Sequence, residues 1–262
     1  VNDTSGCRLP LDTITHVFFG LHGTLIDHAL LEPCSRQAQA DLLAARYGGN
    51  PTAWIAASRR VTADWDSYYA DLDLDGDDNL DQLWEGQTRI LRALFRLAER
   101  PYPPPEEMSR LVREQHYLIT HRCDALYPDA RAALEAIRAD DRLSGLALGV
   151  ISNTVSGHAE GCLEGAGVRD WFAGPVVGPD TVGRFGKDAG CFRFAFGQAQ
   201  AAPGCCIVVD DEPSALRSAV EAGARAVLID RVGRRDRGRL APVLPDLNGL
   251  PDLLRRWLEA RY

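Results

Sequence analysis

The stretch ITHVFFGLHGTL, residues 14–25, decides how this chain is read. Residues 14–20 are short, apolar and rich in β-branched and aromatic side chains, the composition of a strand buried on both faces. The strand runs directly into Gly23-Thr24.

Residues 26–124 show a helical pattern and no strand signal. Candidate helices cover residues 30–47, 51–70, 80–100 and 105–119. Pro51 and Pro105 suit first helical turns, and Gly48-Gly49 suits a helix stop. The segment PYPPP, residues 101–105, is a rigid loop. After Tyr127 the pattern alternates. Helices are expected at residues 129–140, 158–165, 191–200 and 213–222, and strands at 146–151, 176–177, 206–209 and 226–229. An amphipathic helix, residues 250–261, ends the chain. Strands alternating with helices of this length predict an α/β fold, a Rossmann-like three-layer core around a parallel sheet. The core then comprises residues 1–25 and 125–262, and residues 26–124 form an inserted all-helical cap. Ligands of open α/β sheets bind at the carboxyl ends of the strands. That rule selects Gly20, Leu21, His22, Gly23 and Thr24, then Ser152 and Asn153, Lys187, and Asp210 with Asp211.

The 262 residues, 45% of them hydrophobic, are enough for such a core. A net charge of −8 and a pI near 5.3 argue against a nucleic-acid partner, which needs clustered Lys and Arg. No apolar run reaches the roughly 18 residues that span a bilayer, so no membrane partner is expected. The N-terminal VNDTSGCRLP has neither a basic nor an apolar signal region. Seven cysteines form no CxxC pair, and Cys205-Cys206 sits in an apolar run as small hydrophobes. These features point to a reduced, cytoplasmic setting. Of 29 basic residues only Lys187 is a lysine.

The strand-end residues resemble, in order, the four motifs of the haloacid dehalogenase (HAD) superfamily. VFF followed by Gly20-Leu21-His22-Gly23-Thr24-Leu25 stands where that family has Asp-x-Asp-Gly-Thr-Leu. GVISN ends in the second-motif position at Ser152, GRFGK supplies Lys187, and IVVDDE supplies Asp210 and Asp211. The flanking LYPDARAALEAI, VRDWFAGPVVG and SAVEAGARAVLI are also similar. The resemblance covers residues 14–27 and 125–232; residues 26–124 resemble the helical cap of the dehalogenases and phosphoglycolate-type phosphatases by position and helicity. It implies that the first motif supplies a nucleophilic Asp and an acid/base Asp. Ser152 and Lys187 would hold an anionic substrate, and Asp210 and Asp211 would hold Mg²⁺.

The chain departs from that pattern where the chemistry is done. Gly20 stands at the nucleophile position and His22 at the acid/base position, and Asp188 follows Lys187 where a proline is common. Loss of a covalent nucleophile costs on the order of 10⁶ in kcat in a serine protease, so the aspartyl-phosphate route is excluded by residue type. Mg²⁺ lacks one of its usual carboxylates, so no cofactor is expected.

His22 titrates near neutrality and suits general acid/base work, oriented by Asp210. The competing reading is a packing residue in an abandoned site. Lys187, Ser152, Asn153, Asp210 and Asp211 read as ligand-binding groups, or as a surface lysine, turn residues and helix-capping acids. His28 is placed at the hinge, and His116 and His121 read as structural. Trp54, Trp65, Tyr68, Tyr69 and Trp84 read as core packing, with one or two lining a pocket. DLDLDGDDNLDQ, residues 71–82, matches a calcium loop at Asp71, Asp73, Asp75 and Gly76 but has Gln82 at the twelfth position. A solvated acidic loop fits it better.

Three functions follow. One is a repurposed enzyme that uses His22 on a small molecule, anionic metabolites included. The second is an inactive binding or regulatory protein of this fold. The third is a hydrolase with an unrecognised nucleophile. An open pocket lined by His22 and Lys187 above Gly20 favours the first, an apolar plug the second.

Overall fold

The computed structural model describes residues 14–233 and 241–259. The expected first strand is β1 (His16–Phe19), and it lies at the centre of a parallel sheet with β2 (Ala147–Ile151), β3 (Val176–Val177), β4 (Cys206–Asp210), β5 (Arg225–Ile229) and β6 (Val243–Leu244). The order is β3-β2-β1-β4-β5-β6. Phe19 sits in register with Val150 on one side and Val209 on the other. The chain order reverses beside β1, so the carboxyl ends of β1 and β4 form the crevice of an open α/β sheet.

Alternation along the strands loads both faces. Val17, Phe19, Val150 and Val209 pack towards α5 (Pro128–Ala139), α6 (Ser156–Gly165) and α10 (Leu250–Glu259). Phe18, Ile151 and Val208 pack towards α8 (Ala189–Gln198) and α9 (Pro213–Glu221). The sheet is thus the middle of three layers, as the alternating sequence requires. A single turn, α7 (Pro179–Val182), follows β3.

Between β1 and α5 the described chain contains helices and no sheet strand: α1 (His28–Tyr47), α2 (Pro51–Ala63), α3 (Asn79–Leu97) and α4 (Pro105–Leu118). Asp27 and Asn50 cap the first two by accepting from the N–H groups of Ala29 and Thr52. These helices have their own core, with Trp54, Leu91, Phe95 and Leu111 buried together. The helix expected over residues 51–70 stops at Ala63. Asp64 leaves helical geometry, and a tight turn at Trp65–Tyr68 follows, in which Ser67 donates to the Asp64 carbonyl. β6, two residues long, was not expected. The helix expected over 250–261 is described to Glu259, and the N-terminal segment read above lies outside the described residues.

The two connections to the insert run side by side. Asp27 N donates to Ala125 O at 2.8 Å and Tyr127 N to Leu25 O at 2.9 Å. A disulfide joins Cys34 to Cys123 across the same region, with Cα atoms 5.8 Å apart. The spacing of the cysteines did not announce this pair: residues 89 apart in sequence meet because the outgoing and returning chains are neighbours. A second attachment lies at Asn79, whose buried amide donates to Phe185 O and accepts from Phe185 N, at 3.0 and 2.8 Å.

Glycines place α4 against the core. Gly161 and Gly165 lie one turn apart on α6, and a Cβ there would meet Thr120 Oγ1 at 2.1 Å and the Cys123 carbonyl oxygen at 2.6 Å. Glycine costs up to ~1 kcal/mol per helical position relative to alanine, and here it permits backbone contact. That contact brings the end of α4 beside His158. Among the described residues no helix is long and apolar enough to cross a membrane.

Candidate active site

Gly20 follows β1 and donates its N–H to Val209 O at 2.8 Å, so its α-carbon lies beside the end of β4. The space where a side chain would project is filled. A Cβ on Gly20 would lie 2.6 Å from Asp210 Oδ2 and 3.0 Å from Thr24 Oγ1. That same carboxylate oxygen is 2.7 Å from Lys187 Nζ, and the two side chains are 2% and 10% exposed. Asp210 Oδ1 accepts from Glu212 N at 2.9 Å. A buried ion pair therefore occupies the position above Gly20, neither an open pocket nor an apolar plug.

Gly20→Ala should accordingly destabilise the fold, since the pinned carboxylate has to shift. A loss of about 1–3 kcal/mol is expected for overpacking of this kind. Urea denaturation measures it, and an unchanged midpoint would show that the ion pair yields freely.

The other strand-end residues divide. Leu21 is buried in the core, and its carbonyl accepts from Leu25 and Ile26. Thr24 is fully buried, and its hydroxyl stands 3.4 Å from Asp211 Oδ1. Ser152 is also buried and bonds to the Thr154 hydroxyl at 2.9 Å. Asn153 lines a cavity, with Oδ1 buried and without a hydrogen-bond partner. Arg231 fixes the first-motif turn by donating to the carbonyls of Gly23 and Thr24 and pairing with Asp129, its guanidinium stacked 3.7 Å over the Tyr127 ring.

His22 does not meet Asp210 in a hydrogen bond. Its Nε2 lies 3.0 Å from His158 Nε2, and one of the two must donate. His28 and His116 continue the series, with ring centroids 5.9 Å from His22 and 6.4 Å from His158 respectively. Four of the chain's six histidines thus form one row between insert and core. Burial pushes His22 down to about 4, helped by positive charge at His28 and Lys187. Burial likewise pushes His116 to about 4 and His158 well below its usual value.

All four histidines line a cavity of about 750 Å³ between the insert and the end of the sheet. Leu31, Val61, Leu83 and Ile90 form its apolar wall, and Trp65, Tyr69 and Phe185 add aromatic surface. Lys187, Asp210 and Ser152 are not among its lining residues. Four of its lining residues carry a buried polar atom without a hydrogen-bond partner: His22 Nδ1, Arg36 Nε, His116 Nε2 and Asn153 Oδ1. Buried polar groups without partners are rare, and four cluster on the residues around this one cavity.

The acidic residues do not suit Mg²⁺. Hard Mg²⁺ needs carboxylate oxygens in a near-octahedral set. Gly20 offers none, both oxygens of Asp210 are engaged, and no described group of three or more acidic, His or Cys side chains could hold a metal. In the acidic loop Asp71 pairs with Arg89, and Asp73 accepts from the N–H groups of Asp75 and Gly76.

Reading the sequence missed His158 and took His116 as structural. His158 stands in the first turn of the helix after β2, a position that always faces the sheet's carboxyl end, and that was the available signal. His116 and Arg36 carried no local signal, because only the packing of the insert brings them to the cavity.

The family model for haloacid dehalogenase-like hydrolases matches residues 14–223. The chain is 32% identical over 162 residues to phosphoserine phosphatase of Thermus thermophilus, and the match spans 62% of each chain. Among solved structures, 2-haloacid dehalogenase from Pseudomonas syringae superposes with a TM-score of 0.60 at 23% identity, covering 94% of this chain and 100% of that one. A HAD phosphatase from Thermococcus onnurineus gives 0.56 at 20% identity, covering 92% and 97%.

Proposed function

Because the chain belongs to the haloacid dehalogenase-like hydrolases, we propose that it is an enzyme of that family which works without an aspartyl intermediate and moves protons through His22 and His158. The observation that carries this reading is the filled space over Gly20, beside a cavity lined by His22, whose Nδ1 has no hydrogen-bond partner. In this reading residues 26–124 act as a cap that closes the cavity.

The imidazole pair explains how one nitrogen can serve in both directions. When His22 Nε2–H donates to His158 Nε2, His22 Nδ1 holds an unpartnered lone pair and can accept a proton from a substrate or a water. His22 is then an imidazolium, and its Nδ1–H can return the proton. The 3.0 Å contact keeps Nε2–H donating to His158 in both states. Elimination, isomerisation, cyclisation and hydrolysis by direct attack of water all need only such a proton acceptor and donor.

A second reading, ligand binding without turnover, is favoured by one fact: an imidazole held at about 4 is a weak base at neutral pH. One experiment separates the two. Turnover is screened with small carbonyl, ester and hydroxy compounds, and His22→Ala is compared with wild type on any substrate found. A loss of about 10²–10⁴ in kcat with binding retained is expected. Turnover undiminished in His22→Ala sinks the proton-transfer role, and Mg²⁺-dependent release from an aryl phosphate sinks the whole reading.

A further inference from the structure

The charge balance of the cavity identifies what it takes. Two acids, Glu32 and Asp66, line it against one arginine, Arg36. Arg36 is paired with Glu32 one turn away on α1. Burial keeps the imidazoles of His22, His116 and His158 neutral at pH 7. Lys187, the cation that the family resemblance assigns to anion binding, is held by Asp210 and does not line the cavity. An anion entering here would shed water without gaining an uncompensated lysine or arginine, and a buried charge without a partner is costly.

The remaining surface suits a different ligand. Seven aliphatic side chains contributed by the insert line the cavity, among them Leu31, Val61, Leu83 and Ile90. Ser58, Thr62 and Asn153 also line it, and their hydroxyl and amide groups offer both hydrogen-bond senses. A cavity of about 750 Å³ is large for a two- or three-carbon acid and lies within the range that encloses a drug-sized molecule. We propose that the substrate is a neutral, mainly apolar organic molecule that presents a carbonyl or hydroxyl oxygen, in place of a phosphate ester or a short carboxylic acid. This rests on the reading of the cavity as the active site.

The test is calorimetric titration of the wild-type protein at pH 7.5 with three probes on one scaffold: 2-acetylnaphthalene, 2-naphthoate and 2-naphthyl phosphate. The ketone should bind at least about tenfold more tightly than either anion, a preference of about 1.4 kcal/mol. Equal or tighter binding of either anion overturns the proposal, and so does absence of binding by all three. Glu32→Gln then tests the charge argument by sign. Freeing Arg36 creates a charge-assisted partner for a carboxylate, so naphthoate affinity should rise about tenfold while the ketone changes by less than about twofold. No gain for naphthoate overturns the account. Ser58→Trp fills the cavity from its wall and should remove ketone binding; retained binding would place the ketone elsewhere and overturn it too. The panel reads binding in the wild type, so it succeeds or fails independently of whether His22→Ala abolishes turnover.

Discussion

Lys187→Met should destabilise the protein by about 3–5 kcal/mol, the cost of removing one partner from a buried ion pair. The size of the effect follows from the environment. Asp210 is 2% exposed, lies at the end of a central strand and keeps only the Glu212 N–H once the ammonium is gone. A buried carboxylate so stripped must either stay charged without a counter-ion or take up a proton. The double variant Lys187→Met/Asp210→Leu should recover most of the loss, because replacing both members of a buried pair by apolar groups is often neutral. Urea denaturation of the wild type, both single variants and the double variant closes the cycle. A single-variant loss below about 1 kcal/mol, typical of an exposed pair, would end the idea that this pair seals the site. The family resemblance instead implied that the lysine holds substrate. The two roles differ in readout: the structural role moves the unfolding midpoint without any ligand present.

The second large effect is on acid stability. His22 and His116 are held at about 4, and His158 well below its usual value, all chiefly by burial. The groups that act on them are His28 and Lys187, which oppose protonation of His22, Asp180, which favours protonation of His116, and His22, His116 and His28, which oppose protonation of His158. In the unfolded chain these imidazoles titrate near their ordinary 6.5. Between pH 6.5 and about 4 the unfolded state therefore binds protons that the folded state refuses. Stability is fully present above 6.5, falls as the pH drops through that window, and levels off below the folded values. A shift of this size is worth on the order of 3 kcal/mol for each of the first two histidines, and the row is too closely packed for the contributions to add. Unfolding free energies at several pH values from 7 to 4 measure the total. His158→Gln removes one titrating group and keeps a hydrogen-bond partner for His22, so its acid limb should be shallower. Parallel curves for the two proteins would contradict the assignment.

The parts of the fold legible in the sequence are those with a period. The strand at residues 14–20, the alternation after Tyr127 and the prolines at first turns specify a parallel sheet and its helices with ends displaced by a few residues. The end of α2 was lost because Asp64 breaks the helix by its backbone geometry while the residues beyond it, WDSYYA, continue a helical composition. At the site, Gly20 announced the missing nucleophile by residue type. What fills its space was not legible. The carboxylate of Asp210 could turn to a metal, to His22 or to Lys187, and only coordinates distinguish these. The histidine row was hidden for a different reason. Its members come from the first motif, α1, α4 and α6, and only the close approach at Gly161 and Gly165 assembles them.

The disulfide and the paired connections have a consequence for how the cavity admits anything. Stitched together at Cys34–Cys123 and hydrogen-bonded at Asp27 and Tyr127, the two crossings behave as one stalk. Splaying them apart would need a covalent bond to break, so the freedom left to the insert is a swing about that stalk. The Asn79–Phe185 clasp resists the swing with two hydrogen bonds, and Phe185 is two residues from Lys187. A swing of the insert, as the proposed cap role requires, would therefore pull on the segment that carries Lys187, the partner of the carboxylate that fills the space over Gly20.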